Sequence, residues 1–316
     1  MPVRSSNLLN TTLLFGAVMT GFVLTASVSS PTSKRGAEHT VTDATGAEIP
    51  VRSYERIASA STIADQVLVQ IVDPARLLAV SGHTLRTQDS PVYADKIGVE
   101  HARDIERLIE LRPDIVFINN FVDRKHVGRL KDAGLNVFDL GAMRGLETLP
   151  ANIRAIARVM GVPDRGDALV TELLGDLRAV SADIPIASRR RGLYVGIHGD
   201  RLYGGAAQTS FHDVLVAGGL VDLAALAGYA GWPAYTNEQL LAIDPPWIIT
   251  NPGTEEALCR HPGLGSLQAC RLGHVRSVAT DLLTDPGLGM VDAARAVRFA
   301  VYESDWDEAT TRKEPP

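Results

Sequence analysis

The apolar and polar positions of this chain repeat one arrangement twice, about 130 residues apart. Leu108, Ile109 and Leu111 follow Glu106, and Leu240, Leu241 and Ile243 follow Glu238, with the spacing that gives a short helix one buried stripe. A proline stands seven positions after each glutamate, at Pro113 and Pro245. It ends the helix, because it has no amide hydrogen and disfavours helical geometry in the residue before it. The runs that follow, Ile115-Val116-Phe117-Ile118 and Trp247-Ile248-Ile249-Thr250, suit buried parallel strands. Helix, stop and strand built twice predict two similar α/β lobes with a cleft between them, a common place for a ligand.

The rest of the pattern fits the same plan. Val41 to Val51 alternates around a turn and predicts a hairpin. Arg56-Ile57-Ala58, Leu77 to Val80, Ile115 to Ile118 and Val137 to Leu140 read as strands, and the stretches near 63–71, 106–111 and 126–133 as helices between them. Such alternation implies a parallel sheet covered by helices. Leu146 to Met160 is amphipathic, Gly161-Val162-Pro163 interrupts it, and Arg165 to Ile184 resumes with Leu169, Leu173, Leu174 and Leu177 on one side. The expected layout is an N-terminal lobe over 40–145, a helical linker over 146–184 and a C-terminal lobe over 185–316. In Rossmann-like lobes of this kind, a long helical connection is a stiff one.

Composition narrows the function. Among 316 residues, 45% are hydrophobic and 22% charged, as in a folded protein, and the net charge of −6 argues against nucleic acid as a partner. No charged residue lies between Arg4 and Lys34, and Leu13 to Leu24 forms an apolar core, which predicts an export signal over 1–33. The same stretch is long enough for an uncleaved anchor. No cysteine stands near Ala26 or Ser27 to carry a lipid. The two cysteines, Cys259 and Cys270, predict a local disulfide in an oxidising compartment, with buried free thiols as the alternative. Ten residues between them is not a zinc-ligand spacing.

Enzymatic signatures are lacking: there is no Gly-x-Ser-x-Gly elbow and no phosphate loop, and Gly287-Leu288-Gly289 is only a turn signal. Asp104 and Asn237 are the expected helix N-caps, and a glutamate in a first turn is stabilised by about 0.3–1 kcal/mol. Either glutamate alone therefore reads as structural. Their matching positions in two lobes point to function.

Taken in order, Asp43-Ala44-Thr45-Gly46, Glu106 with Leu111-Arg112-Pro113-Asp114, Ala133-Gly134-Leu135-Asn136-Val137, the helices of 146–184, Ala217-Gly218-Gly219-Leu220, Glu238 with Asp244-Pro245, and Leu267 through Arg271-Leu272-Gly273-His274-Val275 form one series. The series resembles the helical-backbone class of bacterial substrate-binding proteins that serve ABC importers of ferric siderophores, cobalamin and haem. The resemblance runs from about residue 41 to the C-terminus. It implies two parallel-sheet lobes around a metal chelate, no intrinsic cofactor or resident metal, no enzymatic activity, and a monomer in the periplasm delivering its ligand to a permease and its ATPase. It also places Glu106 and Glu238 as the glutamates that dock on permease arginines. Pro246 departs from the class, which usually has Asp there, and the absent lipobox favours the periplasm.

Ligands of parallel α/β sheets sit at the carboxyl ends of strands. Those ends give Ser59 to Thr62 (Ser61 and Thr62 foremost), Ser81 to Arg86 with His83 and Arg86, Asn119-Asn120-Phe121, and Gly141 to Arg144 in the first lobe. The second lobe offers His198 to Arg201, Thr209-Ser210-Phe211, Trp232, Tyr235 and Asn251. Arg86, Arg144 and Arg201 suit an anionic iron siderophore, the expected ligand. His83 or His198, with Tyr203 or Tyr235 and a stacking Trp232, suit the alternative of haem or cobalamin, although an aromatic content of 5% disfavours a large macrocycle. A metallochelatase, a bare-metal binder and a membrane-anchored sensor are the remaining alternatives.

Overall fold

The structure, a computed structural model, describes residues 39–100, 104–119 and 124–303. The expected export signal, and Asn120 and Phe121, lie outside the described residues. Strands β1 (Thr40–Thr42) and β2 (Glu48–Pro50) pair antiparallel. Asp43 closes their turn: its Oδ1 accepts the amides of Thr45 and Ala47 at 2.8 and 2.9 Å, and its Oδ2 accepts the amide of Asp139 at 3.2 Å. One buried carboxylate thus shapes the hairpin and fastens it to the sheet.

In the first half β3 (Ile57–Ser59), β4 (Leu77–Ser81), β5 (Ile97–Val99), β6 (Ile115–Ile118) and β7 (Val137–Asp139) alternate with α1 (Thr62–Ile71), α2 (Gly82–Thr87), α3 (Ile105–Leu111) and α4 (Arg124–Asp132). The strands are all parallel, in the order β5-β4-β3-β6-β7. Helices α5 (Leu149–Val159) and α6 (Pro163–Val180) follow. They start and stop close to the expected limits, with Pro163 at the first turn of α6 where its missing amide is harmless. They cross closely because Gly166 has no side chain: a Cβ there would run into the Cβ of Ala157. Arg154 and Asp167 pair across the crossing at 2.7 Å.

The second half contains β8 (Arg190–Tyr194), β9 (Gly196–His198), β10 (Arg201–Tyr203), α7 (Ser210–Ala217), β11 (Leu220–Asp222), α8 (Leu223–Leu226), β12 (Ala234–Tyr235), α9 (Asn237–Ile243), β13 (Trp247–Thr250), α10 (Glu255–Arg260), α11 (Gln268–Leu272), β14 (Val275–Ser277), α12 (Thr280–Leu283) and α13 (Met290–Arg298). Strands β11-β8-β13-β14 form a parallel sheet, and β12-β10-β9 a small antiparallel one.

Period-two alternation divides the core. Ile57, Ile115 and Phe117 of the first sheet face the same apolar cluster as Tyr194, Trp247 and Ile249 of the second, together with α1, α5, α6 and α13. Ala58, Val116 and Ile118, and separately Leu193 and Ile248, face two outer clusters. Both faces of each sheet are covered, which explains why these strands are continuously apolar rather than alternating with polar residues. The disulfide between Cys259 and Cys270 joins α10 to α11.

Two details differ from the sequence-based expectation. The N-cap of α9 is Thr236, not Asn237: Thr236 Oγ1 accepts the Gln239 amide and Gln239 Oε1 accepts the Thr236 amide, a reciprocal capping box, whereas Asn237 is inside the helix and donates to the Pro262 carbonyl. Asp104 does precede α3, but its carboxylate accepts the Glu100 amide instead of capping the helix.

Candidate functional site

The carboxyl ends of β3 and β4 carry a dense set of small polar groups. Ser61 is buried ahead of α1, its amide on Ser59 Oγ at 3.2 Å and its hydroxyl 3.5 Å from Asn119 Nδ2 at the end of β6. Thr62 Oγ1 lies 3.4 Å from Ser81 Oγ, which caps α2 by accepting the Thr84 amide. Beneath them is a residue the strand-end rule missed, Asp65. It lies wholly buried on α1 and its Oδ2 accepts the Ser81 amide at 2.9 Å and the Thr84 hydroxyl at 2.6 Å. Burial pushes its carboxyl up to about 6, against the opposing hydrogen bonds from Ser59, Thr84 and Ser81. His83 is half-buried in the first turn of α2.

The arginines do not converge. Arg86 is exposed and paired with Glu100 beyond β5, and Arg144 is paired with Glu147 at 2.7 Å, three residues along its own turn. Arg201 and His198 are exposed partners across the β9–β10 hairpin. Two of the three cations expected to neutralise an anionic ligand are thus already held by carboxylates.

Aromatic rings, few in the composition, gather at the carboxyl end of β8. Tyr194, the last residue of that strand, packs on Phe211 with ring centroids 4.5 Å apart. Phe211 in turn meets Trp232 edge to face at 4.9 Å. Phe211 is buried, so it is a support rather than a contact surface, while Trp232 is 57% exposed. Tyr203 flanks Tyr194, its hydroxyl 3.5 Å from Asn251 Nδ2. Asn251 Oδ1 is buried without a hydrogen-bond partner among the described residues. Tyr235 is buried under Gly204 and packs against Tyr229, with its hydroxyl also buried and without a partner among the described residues, so it is not a surface group. Burial raises the phenols of Tyr194 and Tyr235 well above the ordinary tyrosine value. Tyr194 was not among the expected strand ends, although the apolar run Leu193-Tyr194-Val195 is the local signal that could have found it.

Glu106 and Glu238 stand exposed in the first turns of α3 and α9. Among the described residues Glu106 pairs with Arg129 at 4.0 Å. Glu238 is held below the usual carboxylate range by its own amide and by the Thr236 hydroxyl. No group of three or more histidine, cysteine or acidic side chains able to hold a metal ion occurs among the described residues, and none of their helices is long and apolar enough to cross a membrane.

Residues 57–282 match the family model described as periplasmic binding protein, which is more than half of the chain. The chain belongs to the periplasmic binding protein family. Its relatives include YvrC, an ABC transporter substrate-binding lipoprotein of Bacillus subtilis, 22% identical over 68% of this chain and 69% of that protein. A cobalamin-binding protein of Halobacterium salinarum is 24% identical over 79% and 70%. Among solved structures, the periplasmic haem-binding protein RhuT of Roseiflexus superposes with a TM-score of 0.67 at 19% identity, covering 80% of this chain and 99% of that one. A periplasmic haem-binding protein of Pseudomonas aeruginosa gives 0.65 at 25% identity, covering 79% and 94%. Membership in this family carries a substrate-binding role in ABC import, with a ligand and a permease as partners.

Proposed function

We propose that this chain is the extracytoplasmic receptor of an ABC importer and that it captures a metal chelate with a flat apolar face, of the tetrapyrrole class to which haem and cobalamin belong. The observation that carries the ligand class is the exposed indole of Trp232, held edge-on by buried Phe211 at the strand-end face where α/β folds take ligands. A supported ring offers a flat chelate large contact area at small entropic cost. The cobalamin-binding and haem-binding relatives favour the same class. An iron siderophore, the ligand expected first, drew its support from Arg86, Arg144 and Arg201, and the ion pairs of the first two weaken it.

The receptor works as a monomer, without a cofactor of its own, and hands its ligand to a permease driven by an ATPase, with Glu106 and Glu238 as the docking charges. The disulfide favours an oxidising, extracytoplasmic location. Titration of residues 34–316 with haemin, cyanocobalamin, a ferric catecholate and a ferric hydroxamate, followed by absorbance and fluorescence, tests the ligand class. A tetrapyrrole should bind saturably, and Trp232→Ala should weaken it by about tenfold or more, as expected for loss of an aromatic anchor. Saturable binding of the catecholate or hydroxamate alone would return the siderophore reading, and binding of none would favour a sensor.

A further inference from the structure

The Gly287-Leu288-Gly289 turn, which predicted nothing beyond a bend, closes around a side chain from the other half of the molecule. Gln66 of α1 is buried, its Nε2 donates to Asp285 Oδ2 at 2.5 Å, and its Oε1 accepts the Leu288 amide at 2.6 Å. Asp285, also buried, accepts the Gly287 amide on Oδ1 at 2.7 Å and receives a second donor, Gln88 Nε2, at 3.3 Å. Both glycines leave room for the pair: a Cβ at Gly287 would displace Gln66 Oε1, and one at Gly289 would displace Asp285 Oδ2.

Gln66 belongs to α1 and Gln88 directly follows α2, so one carboxylate from the second half ties down both helices that begin at the carboxyl ends of β3 and β4. Gln66 lies one turn beyond Thr62, and burial pushes the Asp285 carboxyl up, opposed by its bonds from Gly287 and Gln66 and by nearby His83 in the first turn of α2. The polar rim of the candidate site and this junction are therefore successive turns of the same two helices. A hydrogen-bonded pair buried on both sides fixes relative position far more narrowly than apolar packing does, because either side chain left alone is an unsatisfied buried group.

We propose that Gln66 and Asp285 form a clasp that sets the spacing of the two halves and thereby the geometry of the ligand-binding rim. The proposal builds on the receptor reading, but its test uses ligand-free protein. Hydrogen–deuterium exchange over residues 285–289 is measured with small-angle scattering for wild type, Gln66→Glu, Asp285→Asn and the double variant. Gln66→Glu sets two acceptors against each other, and Asp285→Asn sets two amide donors against each other.

Each single variant should expose the Gly287 and Leu288 amides by about tenfold or more and raise the radius of gyration. The double variant reverses the donor and acceptor: the new side-chain amide at position 285 donates to the new carboxylate at position 66 and, once the Gln88 amide turns over, to Gln88 Oε1, while its oxygen still accepts from Gly287. It should regain wild-type protection and size. Unchanged exchange in both single variants, or a double variant as exposed as the worse single one, would overturn the clasp. If the clasp behaves as expected but neither haemin nor cyanocobalamin binds wild type, the ligand class fails and the clasp stands.

Discussion

Arg112 and Asp244 occupy the same strained place in the two halves: each is a non-glycine residue in the left-handed conformation, with φ of 45° and 42°, directly before the proline that follows α3 or α9. The duplicated helix-stop-strand pattern thus repeats down to a backbone angle. A left-handed residue with a Cβ costs about 1–2 kcal/mol relative to its right-handed form, and glycine is the usual occupant of this helix-ending position. Arg112→Gly should therefore raise stability by about 0.5–1 kcal/mol, visible as a higher unfolding midpoint. Asp244→Gly should not, because Asp244 Oδ1 accepts the Gln268 amide at 2.7 Å and ties α9 to α11. A stabilised Asp244→Gly would show that this bond contributes little.

The glutamates six residues upstream of these stops are the proposed docking charges. Both are exposed, so each contributes little to folding, and their effect lies in steering and registering the permease. Changing both Glu106 and Glu238 to Arg should lower uptake by about tenfold or more in cells while the affinity of the purified receptor for its ligand stays within about twofold. Undiminished uptake would assign both residues to their helix termini alone.

Much of this architecture was legible because its signals are local. Pro113 and Pro245 mark the stops, and unbroken apolar runs mark β6 and β13. The capping box of Thr236 and Gln239 was equally local, and a reading that weighed position 239 would have preferred Thr236 over Asn237. The site was less legible, because its decisive partners are distant in sequence. Arg86 is at a strand end and looks free for a ligand until β5 brings Glu100 beside it. Nothing near Gln66 signals a partner 219 residues away. Trp232 was found as an aromatic residue, but its support by Phe211 and Tyr194 is a property of the folded chain.

The Cys259–Cys270 bond closes a short loop between α10 and α11, and the entropy it removes from the unfolded chain is worth about 3 kcal/mol for a loop of that size. Cys259→Ser with Cys270→Ser should lower the free energy of urea unfolding by about 2–3 kcal/mol, and dithiothreitol should do the same to wild type. A loss well under about 1 kcal/mol would mean that the reduced chain keeps this loop ordered.

Asp65 links stability to pH. Its carboxyl is pushed up to about 6 in the fold, against 3.8 in the free group, so the native state holds a proton that the unfolded chain gives up across that range. The contribution is fully present below about pH 4 and is lost as pH rises through about 6. At 1.36 kcal/mol per pKa step it is on the order of 3 kcal/mol. Asp65→Asn mimics the protonated form, so unfolding at about pH 4.5 and 7.5 should show a smaller loss with rising pH in the variant than in wild type. Equal losses would mean that Asp65 is ionised in the fold throughout.

His212 tests the same linkage at a higher pH. Its Nδ1 lies 2.7 Å from Asp222 Oδ2, and that hydrogen bond raises the imidazole above its ordinary 6.5, burial opposing it. Protonated histidine donates to the carboxylate and neutral histidine carries no charge to pair with it. The stabilisation is therefore present below pH 6.5 and is lost as pH rises through the raised folded value. Asp222 also caps α8 through the Ala224 amide at 2.9 Å, so changing the aspartate would confound the result. His212→Gln leaves that cap in place and should cost about 1.5 kcal/mol at pH 6, the scale of a hydrogen bond to a charged group, and less at pH 9. A destabilisation that is the same at both pH values would show that the pair acts through packing rather than charge.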